Sequence, residues 1–226
     1  MSMAPIMRSL ALLLTLVQTA APVAIKHSVA TFPGVGSAAI EAQFTPGLPW
    51  DYPSAVIKPP TLTFRSNGNS ELKRIQFGAE EDDYTELNFV VINLPQIATP
   101  LVVAVAVRPG GSDYIFQSAI VGSLDGKIRD FLPDHPTTNI QGALCLGKFG
   151  KHSMPGVLVL NFIWENGAHY SAHRYECTFY EWTGAVFEKQ SVFETKRAYE
   201  SWQDAAKELG FECRWDFTRA LFPNAR

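Results

Sequence analysis

The densest run of potentially reactive side chains is His169, Tyr170, His173 and Glu176. Histidines four apart share one face of a helix and can hold zinc there. On a strand they sit about 13 Å apart, at ~3.3 Å per residue, too far to share an ion. The aromatic, glycine-flanked context is that of a strand, so solvated histidines are expected, with no metal and no cofactor. Asp113, Asp125 and Glu165 are the carboxylates that a hydrolase would draw on, because such pairs are defined by spatial rather than sequence separation. Glu80-Glu81-Asp82-Asp83 are adjacent rather than spaced as calcium ligands are, which reads as a solvated loop. Neither Gly-x-Ser-x-Gly nor His-Glu-x-x-His occurs, and Gly34-Val35-Gly36 is too short to cradle phosphate. Trp50, Tyr52 and Trp164 lie in loop contexts where aromatic rings mark interfaces. With His169, Tyr170 and His173 they form the expected binding set.

Cys145, Cys177 and Cys213 are the only cysteines. An odd count leaves at least one thiol free, the pairing is open, and buried free cysteine is the expected state. No Cys-x-x-Cys is present.

The elements that must position these residues follow from punctuation and period. Residues 22–60 are proline-rich and loop-heavy, with a short strand expected at Ala38–Phe44. Thr61–Phe64 and Leu72–Phe77 flank Ser66-Asn67-Gly68-Asn69, a hairpin whose Asn-Gly is expected to supply the positive φ angles of its turn. Ala198, Trp202, Ala205, Ala206 and Leu209 share one helical face, so a helix is expected over 196–209, stopped by Gly210.

The N-terminus sets the address. Arg8 precedes the apolar run Leu10–Val17, and the small residues Thr19, Ala20 and Ala21 follow. That is the order of a secretory signal peptide, expected to end near residue 21. The run is shorter than the roughly 20 residues that cross a bilayer. Secretion or a periplasmic location follows, and no membrane span is expected in the mature chain. A net charge of −3 offers no basic patch for nucleic acid.

An internal repeat is the main organising feature. Asn93-Leu94 with Pro100–Val103 matches Lys148-Phe149 with Pro155–Leu158 at an offset of 55, since 148 − 93 and 155 − 100 are both 55. Each unit continues through an apolar strand, a glycine turn (Gly110-Gly111, Asn166-Gly167) and an aromatic strand. Each closes on a second turn, Asp125-Gly126 or Thr183-Gly184. The expected fold is mainly antiparallel all-β, with blade-like units of a small or partial propeller and one C-terminal helix. The expected division is 1–21 signal, 22–60 proline-rich segment, 61–193 β-repeat domain and 194–226 helical segment.

Gly147–Val159 and the Trp182-Thr183-Gly184-Ala185-Val186-Phe187 turn resemble the FG-GAP or VCBS-type propeller repeats, over roughly residues 88–190. In those repeats loop aspartates hold calcium. Lys148, Gly150, His152 and Gly156 stand at those places here, and Asn93, Pro95 and Ile97 in the first unit. The resemblance therefore implies a blade without its calcium site. The function expected is that of an exported, non-enzymatic binding or scaffold module for an unidentified protein or carbohydrate. A secreted hydrolase with loop-borne carboxylates is the alternative.

Overall fold

The computed structural model describes residues 22–47, 58–79, 84–109, 114–150, 154–164 and 171–222. The N-terminal apolar run, Trp50, Tyr52, the 80–83 acidic run, Asp113, His152, Glu165, His169 and Tyr170 lie outside them.

The described residues form three antiparallel sheets. Sheet A holds β1 (Ala24–Phe32), β2 (Gly36–Phe44), β3 (Thr61–Ser66) and β4 (Glu71–Gln76) in chain order. Sheet B holds β5 (Glu86–Ile92), β6 (Leu101–Pro109), β7 (Tyr114–Leu124) and β8 (Lys127–Asp130), with β9 (Thr137–Asn139) also on β7. Sheet C holds β10 (Ala143–Phe149), β11 (Gly156–Phe162), β12 (Tyr175–Trp182) and β13 (Phe187–Glu194), and β14 (Phe211–Asp216) flanks β10. Two short helices, α1 (Trp202–Glu208) and α2 (Phe217–Leu221), bracket β14.

The sheets stack in the order A, B, C, with α1 on the far side of C. The middle strands show why. β6 is a near-continuous apolar run, and its successive side chains point to opposite faces. Val102, Ala104 and Ala106 enter the core shared with sheet A, while Leu101, Val103, Val105 and Val107 enter the core shared with sheet C. β11 divides the same way, Val157 and Val159 toward B, and Leu158, Leu160 and Phe162 toward α1. A strand buried on both faces needs no polar alternation, and these two have little.

The antiparallel all-β expectation holds at this level. The three sheets remain open, and no closed propeller is formed among the described residues. The two compared segments occupy like places in B and C. Leu101 opens β6 and Gly156 opens β11, while Asp125-Gly126 joins β7 to β8 and Thr183-Gly184 joins β12 to β13.

Several local expectations need correction. Residues 24–44 form a full hairpin rather than loop with one short strand, and β2 pairs with β3. In the β3–β4 turn the positive φ falls on Asn69 (63°) rather than on Asn67-Gly68. Asn69 N–H donates to the Ser66 carbonyl at 2.8 Å, and Ser66 N–H to the Ser70 carbonyl at 2.9 Å. This is the longer hairpin loop, a tight turn followed by one left-handed residue. The C-terminal helix is shorter than 196–209. Ser201 caps it by accepting from Asp204 N–H, Trp202, Ala205 and Ala206 are buried, and Ala198 lies outside it, exposed. A capping serine with extended backbone ends the helix on its N-terminal side, and Tyr199 pairs instead with His173. Gly210 (φ 75°) follows the last turn as expected.

Cys145 and Cys213 form a disulfide between β10 and β14, with Cα atoms 5.6 Å apart. Only Cys177 has the expected buried, free state. The bond sits at a bulge, where the register slips between Leu146 and Gly147. A side chain on Gly147 would run into the Glu212 carbonyl, so the close strand approach requires glycine there.

Candidate functional site

Two clusters carry the polar and aromatic chemistry. The first lies at the end of β11, where the chain leaves sheet C. Trp164 is 49% exposed and meets Phe162 edge-on at 4.6 Å between ring centroids. Phe162 is buried, and its ring also packs on that of His173, at 5.0 Å. An exposed tryptophan is thus seated on a buried aromatic base, which restricts its rotamers and lowers the entropy lost on contact.

His173 corrects the expectation of a solvated histidine: it is 3% exposed. Its N–H and carbonyl pair with those of Tyr199 at 2.9 and 2.8 Å, and that bridge ties it to the segment that leads into α1. Its Nε2 is buried without a hydrogen-bond partner, as is Trp202 Nε1. Of the expected binding set, Trp164 and His173 therefore share Phe162 from opposite roles, one presented and one enclosed.

The second cluster was not anticipated. The β8–β9 connection, Asp130-Phe131-Leu132-Pro133-Asp134-His135-Pro136, places Phe131 and Leu132 in the core between B and C. Phe131 packs on Trp182 at 4.9 Å, and its carbonyl accepts from Phe187 N–H at 2.7 Å. That pins the loop to sheet C. Its polar residues fold over the plug. Asp130 accepts from His135 Nε2 at 2.5 Å with one oxygen and from Leu132 N–H at 3.1 Å with the other. His135 adopts a positive φ of 42° to reach that position, its ring stacked on Phe77 at 6.2 Å.

Next to it, Asp134 accepts from Tyr180 Oη at 3.4 Å and pairs with Lys189 Nζ at 2.7 Å. Burial, reinforced by the Asp134 charge and hydrogen bond, pushes the Tyr180 hydroxyl up to about 12. It is a neutral donor at ordinary pH. A histidine held by a carboxylate is the half of an acid–base site that orients the ring. Here the carboxylate's second oxygen closes its own loop, so both oxygens serve to fix the plug. The two prolines bracketing Asp134-His135 were the sequence signal for a tight, polar-decorated loop.

Of the hydrolase carboxylates, Asp125 is described. It is exposed in the β7–β8 turn with a positive φ of 53°, a left-handed position that suits a short polar side chain. Among the described residues no group of three or more His, Cys, Asp or Glu could hold a metal ion. No described helix is long and apolar enough to cross a membrane. No protein-family model matches the chain, and neither does a curated protein or a solved structure.

Proposed function

We propose that this chain is an exported, non-enzymatic β-repeat protein that acts as a binding or scaffold module. Sheets B and C are then divergent copies of one blade-like unit, as suggested by the resemblance to the calcium-binding propeller repeats. The observation that carries the binding role is Trp164, half exposed on its buried aromatic base, Phe162 and His173. Export is supported by the Cys145–Cys213 disulfide, a bond that persists in oxidising compartments.

Affinity electrophoresis of the protein and its Trp164→Ala variant, through gels cast with soluble xylan, starch or glycol chitin, tests the binding role. Retardation in one gel, lost in the variant without a change in melting temperature, is the expected result. In parallel, chromogenic glycosides and esters are offered as substrates. Turnover abolished by Asp113→Asn, Asp125→Asn or Glu165→Gln would replace the binding module with the hydrolase reading. The intact mass of the exported protein checks the address: cleavage near residue 21 and a single alkylatable thiol after denaturation, that of Cys177, are expected.

A further inference from the structure

Strand β1 carries two of its three large apolar side chains, Ile25 and Val29, on the face away from the core. Ala24, Ser28, Ala30 and Phe32 share the inner face with Lys26, while Ile25, His27, Val29 and Thr31 face out. Val23, Ile25 and Val29 are 54%, 48% and 68% exposed. Among the described residues β1 is also the edge of sheet A, paired on one side only, with β2. Exposed edges are ordinarily blocked by a lysine that projects past the strand. Lys26 cannot do this. Its Nζ is engaged by Asn88 and Glu86 of β5 and lies 4.9 Å above the Phe44 ring. Among the described residues no strand covers this edge, and of its outward residues Ile25, Val29 and Thr31 are β-branched.

We infer that β1 is a homodimer seam, pairing antiparallel with β1 of a second copy about a two-fold axis through His27. The strand is self-complementary in that register. A two-fold perpendicular to the sheet keeps the outer faces on one side, so the residue numbers of opposed pairs must sum to an even value. Centring on His27 sets Ile25 against the second copy's Val29, and Val29 against its Ile25. Val23 then meets Thr31, Ala24 meets Ala30, and Lys26 meets Ser28. Centring on Lys26 would oppose two lysines. Centring on Ser28 or Val29 breaks the Ile–Val pairs and leaves Ile25 facing Thr31 or Pro33. Cross-strand β-branched pairs stabilise a seam and like charges destabilise it, so one register is favoured. His27 lies 3.9 Å from Glu41 of the neighbouring strand, so each imidazole brought to the axis arrives with a carboxylate beside it.

The proposal stands apart from the ligand-binding reading, because β1 lies in sheet A and Trp164 just beyond a strand of sheet C. Sedimentation velocity of the full protein over a concentration series is expected to show a reversible monomer–dimer equilibrium. Ile25→Glu and Val29→Lys should each weaken it at least tenfold. The double variant should recover most of the loss, since the carboxylate introduced in each copy then faces the ammonium introduced in the other. Within one strand these positions are four apart and do not meet. His27→Cys should form an interchain disulfide on mild oxidation, because opposed antiparallel Cα atoms lie ~4.5–5.5 Å apart. Thr31→Cys, far from the axis, should not. A protein monomeric at every concentration overturns the inference, as do equal crosslinking of the two cysteine variants or no recovery in the double variant.

Discussion

Sheet B meets its two neighbours through different materials. Toward A the core contains Ala30, Ala38, Ala42, Ala104, Ala106 and Ala119 among its aliphatic residues. Toward C it is filled by Phe116, Phe131, Trp182, Phe187, Phe217 and Phe222, with no alanine among its buried members. The first interface is two sheet faces packed directly, alanines on both sides interleaved with the rings of Phe32, Phe44, Phe64 and Phe77. The second is bridged by inserted parts: the Phe131-Leu132 plug, and α2, which contributes Phe217. The polar fastenings follow suit. Thr99 and Ser123 share a hydroxyl contact at 3.0 Å, and Ser123 donates to the Pro33 carbonyl at 3.1 Å, joining B to the β1–β2 turn. At the other interface Asn139 imitates a strand. Its amide donates to the Phe162 carbonyl at 2.9 Å and accepts from Phe162 N–H at 3.2 Å. A close-fitted interface should resist added volume, and a bridged one should resist its removal.

That difference can be broken by two substitutions of opposite kind. Phe131→Ala should cost ~3–5 kcal/mol, as burial of a large ring is lost and a cavity remains. Ala104→Leu should cost ~1–3 kcal/mol through overpacking against sheet A. Urea unfolding midpoints at constant m-value check both. If Ala104→Leu proved neutral while Val103→Leu, on the other face of β6, was costly, the assignment of the two cores would be reversed.

The sequence made the doubly buried strands plain and the singly buried edges obscure. Leu101–Val107 could only be an interior strand, because seven consecutive apolar residues leave no solvent face. β1 gave no such sign. Its core face is mostly small, Ala24, Ser28 and Ala30, with Phe32 only at its end, while Ile25 and Val29 point outward, so its alternation signals no core, and the prolines downstream drew the whole stretch toward loop. β14 was hidden for another reason. Phe211 and Cys213 face the α1 core, and Trp215 packs toward the sheet B side beyond the bulge; a strand that changes faces part-way has no single period. The exposed Trp164 was legible as a loop aromatic. His173 was misjudged because its burial depends on Tyr199, a partner 26 positions away (199 − 173). The Asp130–His135 pair depends on a positive φ that no local pattern announces.

Alkaline titration separates the two faces of sheet C with the smallest expected effects. Cys177 lies in the core toward α1, and Tyr180, three residues along β12, in the core toward B. Burial raises the Cys177 thiol from 9.0 to about 12, with the neighbouring Glu176 charge adding to it. Tyr180 rises from 10.0 to about 12. Both groups are neutral in the fold, and each ionises at lower pH once the chain unfolds. The unfolded state therefore loses these protons first, and stability falls as pH rises through the interval between the two values. For Cys177 the interval opens at about pH 9, for Tyr180 at about pH 10. Cys177→Ala should therefore flatten the decline in unfolding free energy between about pH 9 and 10. Tyr180→Phe should leave that window unchanged and flatten the decline only above it. Urea midpoints measured at half-unit steps from pH 8 to 11 would show the two breaks. A Cys177→Ala variant that followed the parent curve throughout would mean that the thiol is not enclosed between sheet C and α1.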